Sequence, residues 1–238
     1  MSDWKGTIEA AIFLAGVAMT AALIAELCLF LAFAPEIGRP LLAAQVVDAF
    51  TGKEAGIPVA QAGGVPWWLV AQVSSLQHLA TASLVFPLFL HLLHRHHDSA
   101  NFFMRRLRRI EAAAEGHKAF VRRWGPLGVF LFMLVPFLVN GPLVGAILGR
   151  LVGIRTRFLI LPVIAATVLS SLVWAYSFHT LNRFVERVDP RLPYVLAGVV
   201  VLLVVGLFVL DEVKHRRLHH PPPGKQDAQK DAAEDAPR

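Results

Sequence analysis

The sequence predicts an all-α, polytopic integral membrane protein. It has about four transmembrane helices, one or two re-entrant hairpins and a basic amphipathic interfacial helix. Three observations carry this reading. Of 238 residues, 55% are hydrophobic and 17% charged, against about 25% charged in a soluble domain. Charge is absent from Ala55–His94, Trp124–Gly149 and Phe158–Asn182, runs of 40, 26 and 25 residues, where a bilayer crossing needs about 20. Lys and Arg outnumber Asp and Glu by 23 to 17 and cluster between apolar runs, as the positive-inside bias requires. This pattern argues against a soluble enzyme, a secreted disulfide scaffold or a nucleic-acid module. The single Cys28 excludes an intrachain disulfide.

The elements follow in order through one transmembrane domain, residues 1–210. The first span is about 10–34, apolar except for Glu26. A cleaved signal peptide is the rival reading, because Ala32-Phe33-Ala34 looks like a cleavage site, but the run exceeds the usual signal core of about 7–15 residues. Residues 35–66 are mixed, with arms too short to span. They read as an external loop or as a hairpin that dips into the membrane at 40–65. The second span is about 67–93, with Trp67 and Trp68 suited to the interface. Residues 94–124 carry eight Lys and Arg against Asp98, Glu111 and Glu115. Within them, Phe103, Leu107, Ile110, Ala114 and Val121 form a helical stripe over 101–123. That pattern fits a helix on an anionic leaflet and equally one packed on the bundle.

Residues 125–151 are apolar, but Pro136 and Pro142 bracket Asn140-Gly141 near the middle. Proline removes a helix hydrogen bond and the residue before it resists helix. Each arm then reaches about 12–18 Å at 1.5 Å per residue, roughly half of a hydrocarbon core of about 30 Å. A re-entrant hairpin is expected. The last spans are about 158–180 and 192–210, and 211–238 reads as a disordered cytoplasmic tail. Charge counting selects the topology. With 125–151 turning back, 18 basic residues lie inside and five outside. With 125–151 crossing, the split is 12 to 11. The bias rule favours the first, with both termini cytoplasmic. A bacterial plasma (inner) membrane is the expected location.

Two segments carry a resemblance. One is Glu54-Ala55-Gly56-Ile57-Pro58-Val59-Ala60. The other is Trp124-Gly125-Pro126-Leu127-Gly128-Val129-Phe130 leading into Pro136-Phe137-Leu138-Val139-Asn140-Gly141-Pro142-Leu143-Val144-Gly145-Ala146. With the apolar span and basic helix between them, they resemble the small multidrug export protein family, a relative of the DedA-like membrane proteins, over roughly 45–180. The chain departs from the family in several places. A Pro-Leu-Pro-Gly-Thr-Gly-like turn is replaced by Pro136–Gly141, a Gly-Asn pair by Ser75-Leu76-Gln77-His78, and the DedA arginines by Met133 and Val139. The resemblance implies export, two hairpins of inverted orientation with 40–65 as the first, and kinship with carriers of undecaprenyl phosphate. Inverted repeats of this kind fit a transporter with a midplane site.

Candidate residues follow from chemistry at depth. Glu26 is an intramembrane carboxylate, costly and so a functional candidate, unless it reaches interfacial water. Glu54 sits at the turn of the possible first hairpin and matches the family's acidic position; a solvated loop charge beside Lys53 is the rival. Gln77 and His78 lie mid-span. Histidine titrates near neutral pH, so His78 could relay protons or pair with a carboxylate, or both residues could simply bond between helices. Pro136, Asn140, Gly141 and Pro142 would free backbone groups for a ligand at the hairpin tip. Arg150, Arg155 and Arg157 suit a phosphate headgroup or a topology anchor. His91, His94, His96 and His97 complete no metal site, since structural zinc wants four ligands. No Ser-His-Asp pattern, Walker motif or Gly-rich nucleotide loop is present, so neither catalysis nor a cofactor is expected.

The expected function is transport or export of a small amphipathic molecule or lipid phosphate. The cargo would meet the hairpin tips near the midplane, with proton coupling through Glu26, Glu54 or His78. The alternative is a non-transporting scaffold whose basic helix recruits anionic lipid or partner proteins. The bilayer is the expected partner, nucleic acid is not, and a homo-oligomer stays open.

Overall fold

The computed structural model describes residues 3–95, 118–134, 141–189 and 191–219. All regular elements among them are helices. They are α1 (Asp3–Phe33), α2 (Pro35–Thr51), α3 (Lys53–Ala62), α4 (Trp67–Arg95), α5 (Lys118–Leu134), α6 (Pro142–Leu151), α7 (Thr156–Glu186) and α8 (Leu192–His219). The all-α membrane class is thus seen directly. Ile8–Phe33, Trp67–Leu90 and Thr156–Glu186 are long and apolar enough to cross a membrane, and α8 adds the apolar stretch Leu192–Leu207. The expected tip residues Pro136 and Asn140, most of the basic helix 101–123, and the tail beyond His219 lie outside the described residues.

Residues 35–62, the ambiguous mixed segment, are two helices. α1 stops where Ala34 leaves helical geometry (φ −144°, ψ 66°) and Pro35 opens α2, since proline lacks the N–H that a continuing helix would need. α2 ends at Gly52, whose φ of +91° reverses the chain into α3. The two then run back to back. A Cβ on Gly56 would come within 2.6 Å of the Asp48 Cβ and 2.9 Å of the Ala44 carbonyl oxygen. α3 has 10 residues, about 15 Å.

The second short pair also packs its two arms closely against each other. α5 breaks at Gly125 (φ 56°, ψ −134°), leaving an arm of about 14 Å over 126–134. α6 has 10 residues. A Cβ on Gly145 would lie 2.4 Å from the Met133 Sδ, and one on Gly149 would lie 3.1 Å from the Val129 side chain. Val129 and Met133 thus face Gly149 and Gly145, so the arms are antiparallel. Trp124 and Leu151 lie at the same end of the pair.

The two pairs match at a fixed offset of 89 residues. Gly52, Gly56 and Gly64 correspond to Gly141, Gly145 and Gly153, and the starts of α4 and α7 (Trp67, Thr156) keep the same interval. The exits are the same turn. Val65 N–H bonds to the Ala60 carbonyl and Gly64 N–H to that of Gln61; Ile154 bonds to Gly149 and Gly153 to Arg150. This is the Schellman closure, with glycine in the left-handed region (φ +83° and +94°).

α4 and α7 are antiparallel. At one end Gln61 Nε2 donates to the Ala175 carbonyl at 2.7 Å and Trp67 meets Tyr176 edge-on at 5.6 Å. At the other end Phe86 and Leu90 pack with Leu159 and Val163. One core cluster joins α2 and α3 to the start of α4 and the end of α7, flanked by α1 and α8. The other joins α5 and α6 to the opposite ends of α4 and α7. Each helical pair therefore enters the bundle from its own end.

Candidate functional site

The polar side chains inside this apolar bundle gather beside the first helical pair. Asp48, one turn before the Gly52 reversal on α2, is buried to 3% exposure. Ser74 Oγ of α4 donates to its Oδ2 at 3.0 Å. His78 Nε2, one turn further along α4, lies 3.0 Å from its Oδ1. That approach is close, but it is off the line of a good hydrogen bond. Ser74 and His78 are four apart and so share a helix face, which aims both at one carboxylate. Gln77 Nε2 makes a long 3.4 Å bond to the Gln45 carbonyl. Across the apex, Lys53 Nζ donates to Ser170 Oγ of α7, and Ser170 donates in turn to the Thr167 carbonyl at 3.1 Å. Glu54 folds back over Gly52. The first apex is thus tied to both long helices by polar contacts. In hydrocarbon such contacts contribute roughly 0.6–2 kcal/mol each.

Asp48 escaped the sequence reading. It lies in the short apolar piece 41–50, where an amphipathic loop was as plausible as a buried helix. The signal available was that it is the only carboxylate in that piece. His78 and Gln77 reach the cluster, and Glu54 and Lys53 lie at its edge. Glu26 does not join it; on α1 it accepts from Gln72 Nε2 of α4 at 3.1 and 3.3 Å. Gly141 is half-buried and Pro142 buried at the start of α6, with no side-chain cap on the α6 N-terminus. Arg150 is half-buried, while Arg155 and Arg157 are exposed at the α6–α7 turn. The Arg157 guanidinium sits 4.7 Å from the Phe158 ring centre. No three-residue His, Cys, Asp or Glu group that could hold a metal occurs among the described residues.

Two clefts border α4. One of about 350 Å³ lies between α4 and α7, walled by Trp68, Leu76, Val168 and Leu172 with Gln72 and Ser75 among them. The other, about 170 Å³, is apolar and bounded by α1, α4, α6 and α7. Such walls accept a molecule with a large apolar body and few polar groups.

Comparison with known proteins adds a family. The family described as "Putative small multi-drug export protein" matches residues 54–173, from the first residues of α3 through the middle of α7. No curated protein and no solved structure matches the chain. The match spans half of the 238 residues, and it covers the second helical pair, all of α4 and the first half of α7. On that ground the chain belongs to the small multi-drug export protein family.

Proposed function

We propose that this protein is a membrane exporter in which the two short helical pairs are re-entrant hairpins, opening from opposite faces of the bilayer. Cargo meets their apices near the midplane. The observation that carries the reading is the repeat itself. Two short pairs, offset by 89 residues and packed at opposite ends of α4 and α7, would end at depth in a bilayer, where backbone irregularity is tolerated only inside protein or against a cavity. Transporters place their sites at such inverted broken helices. The cargo is a small amphipathic molecule or a lipid phosphate, which the family's description and the resemblance to DedA-like proteins support. Its apolar body fits the α4–α7 cleft, and Pro136, Asn140, Gly141 and Pro142, from the segment that joins α5 to α6, are its proposed contacts on the second pair. Glu54, Gln77 and His78 supply polar contacts at the first. Arg150, Arg155 and Arg157 receive a headgroup phosphate at the cytoplasmic face, and Glu26 is a peripheral proton carrier. Both termini are cytoplasmic.

The test is flux. Proteoliposomes preloaded with ethidium, and in parallel with a short-chain fluorescent lipid phosphate, should lose one of these cargoes faster than empty vesicles. Glu54→Gln and Asn140→Leu should each slow that loss at unchanged protein content. Equal rates in wild type, variants and empty vesicles would refute export.

A further inference from the structure

Asp48 and His78 form the only carboxylate–imidazole contact among the described residues, and nothing in the family match accounts for it: the matched segment begins at Glu54. The two groups come from different elements. Asp48 belongs to the first hairpin, anchored through Gly52. His78 belongs to the long helix α4. Their environment is nearly closed. The Asp48 side chain is 1% exposed and that of His78 19%. The other ionisable groups facing Asp48 are few. α3 offers Lys53, which donates to Ser170, and Glu54, which folds over Gly52. α1 offers Glu26, taken by Gln72. The described side chains of α8 offer only Tyr194, and α2 itself only Glu36 and Arg39 near its opposite end. Asp48 Oδ1 and His78 Nε2 are both buried without a hydrogen-bond partner, as is Oε1 of Gln45 one turn before Asp48, so an added positive charge here has oxygen atoms to meet it.

A buried carboxylate without a counter-charge is strongly unfavourable, and removing one partner of such a pair costs more than the pair contributes. With the imidazole protonated, Asp48 has a cation 3.0 Å away and the Ser74 hydroxyl on its other oxygen. With the imidazole neutral, only the hydroxyl and a neutral ring remain. Either Asp48 then captures a proton itself or the hairpin draws away from α4.

We propose that Asp48 and His78 together bind one proton, and that this proton latches the first hairpin to α4. This deepens the export reading by naming its coupling ion, and it rests on that reading only for the word coupling. The latch is closed when the pair is protonated. It opens when that proton is lost at alkaline pH. One proton leaves the imidazolium for water at each opening.

Hydrogen exchange tests the latch without any cargo. The purified full-length chain in detergent and choline chloride is exchanged from pH 5 to 9, with rates corrected for intrinsic amide chemistry, and amides over 44–62 are followed. Wild type should open about tenfold more readily at the alkaline end, the scale of one charged hydrogen bond, along a one-proton curve. His78→Gln and Asp48→Asn should flatten the curve. Ser74→Ala, which removes a group that does not titrate, should keep it and serves if the Asp48 variant does not fold. A flat wild-type curve, or an unchanged curve in His78→Gln, would overturn the proposal. So would a response that follows sodium in place of choline and ignores pH, because it would make the site an alkali-cation site. A working latch in a protein that moves neither ethidium nor lipid phosphate would leave the proposal standing and overturn export.

Discussion

Replacing Gly56 by alanine should destabilise the fold, whereas the same change at Gly145 should leave it nearly untouched. The two glycines occupy equivalent places, each facing the other arm of its short pair. Their surroundings differ in stiffness. At Gly56 a new Cβ would stand 2.6 Å from Asp48 Cβ, 2.9 Å from the Ala44 carbonyl oxygen and 3.1 Å from Asp48 Cα. These atoms are backbone or fixed to it, so α2 and α3 must separate, and the Ser74 and His78 contacts to Asp48 are disturbed with them. Forced overpacking costs about 1–3 kcal/mol, and the helix propensity gained over glycine returns only about 1 kcal/mol. The net loss is roughly 0–2 kcal/mol, centred on about 1 kcal/mol. At Gly145 the obstacle is Met133, through Sδ at 2.4 Å and Cγ at 2.7 Å. An unbranched thioether has rotamers to spare, so the propensity gain roughly cancels the repacking. Thermal unfolding of detergent-purified protein, followed by fluorescence-detected size exclusion, should lower the midpoint by a few degrees for Gly56→Ala, on the scale of about 2–4 °C per kcal/mol. It should move Gly145→Ala by about a degree or less on the same scale. A neutral Gly56→Ala, or a larger loss at Gly145, would refute the account of how the arms approach.

In a Cys28→Ser background, single cysteines at Trp124 and Leu151 should react with an impermeant maleimide from the same side of sealed vesicles; labelling from opposite sides would break the hairpin reading. Gly64→Ala and Gly153→Ala should cost nearly the same, about 1–2 kcal/mol each for a left-handed residue with a side chain, because the two turns share their bonds and sign of φ; denaturation midpoints differing by more than that would contradict the match. Gln61→Leu should lower stability by about 1 kcal/mol through loss of its bond to the Ala175 carbonyl, read in the same unfolding assay, with no gain in flux.

Much of this architecture was legible in the chain. Long spans need little more than apolar runs, and Trp67–Arg95 and Thr156–Glu186 begin within two residues of expectation. Pro142 announced the break in the second pair, because a proline flanked by Asn-Gly has no comfortable helical alternative. Residues 35–62 were harder. Their polarity is that of a loop, and only the enclosing bundle rewards burying Asp48, Gln45 and Gln61. The repeat was hidden for a similar reason. From Gly52 to Trp67 and from Gly141 to Thr156, three glycines are the only identical positions. Backbone geometry demands glycine at the two exit turns, Gly64 and Gly153, and leaves most other residues free to diverge. The cluster joins residues 26 to 30 apart in the chain (Asp48 with Ser74 and His78) and 117 apart (Lys53 with Ser170), a proximity that spacing alone does not encode.

The duplicated frame carries unlike chemistry in its two halves. Positions equivalent to Lys53, Glu54, Ser74 and His78 hold Pro142, Leu143, Val163 and Thr167, so the ionisable apparatus belongs to one copy. If the two pairs exchange roles, the exchange moves charge from a furnished cradle to a bare one, so the two arrangements would differ in energy and in population before anything binds.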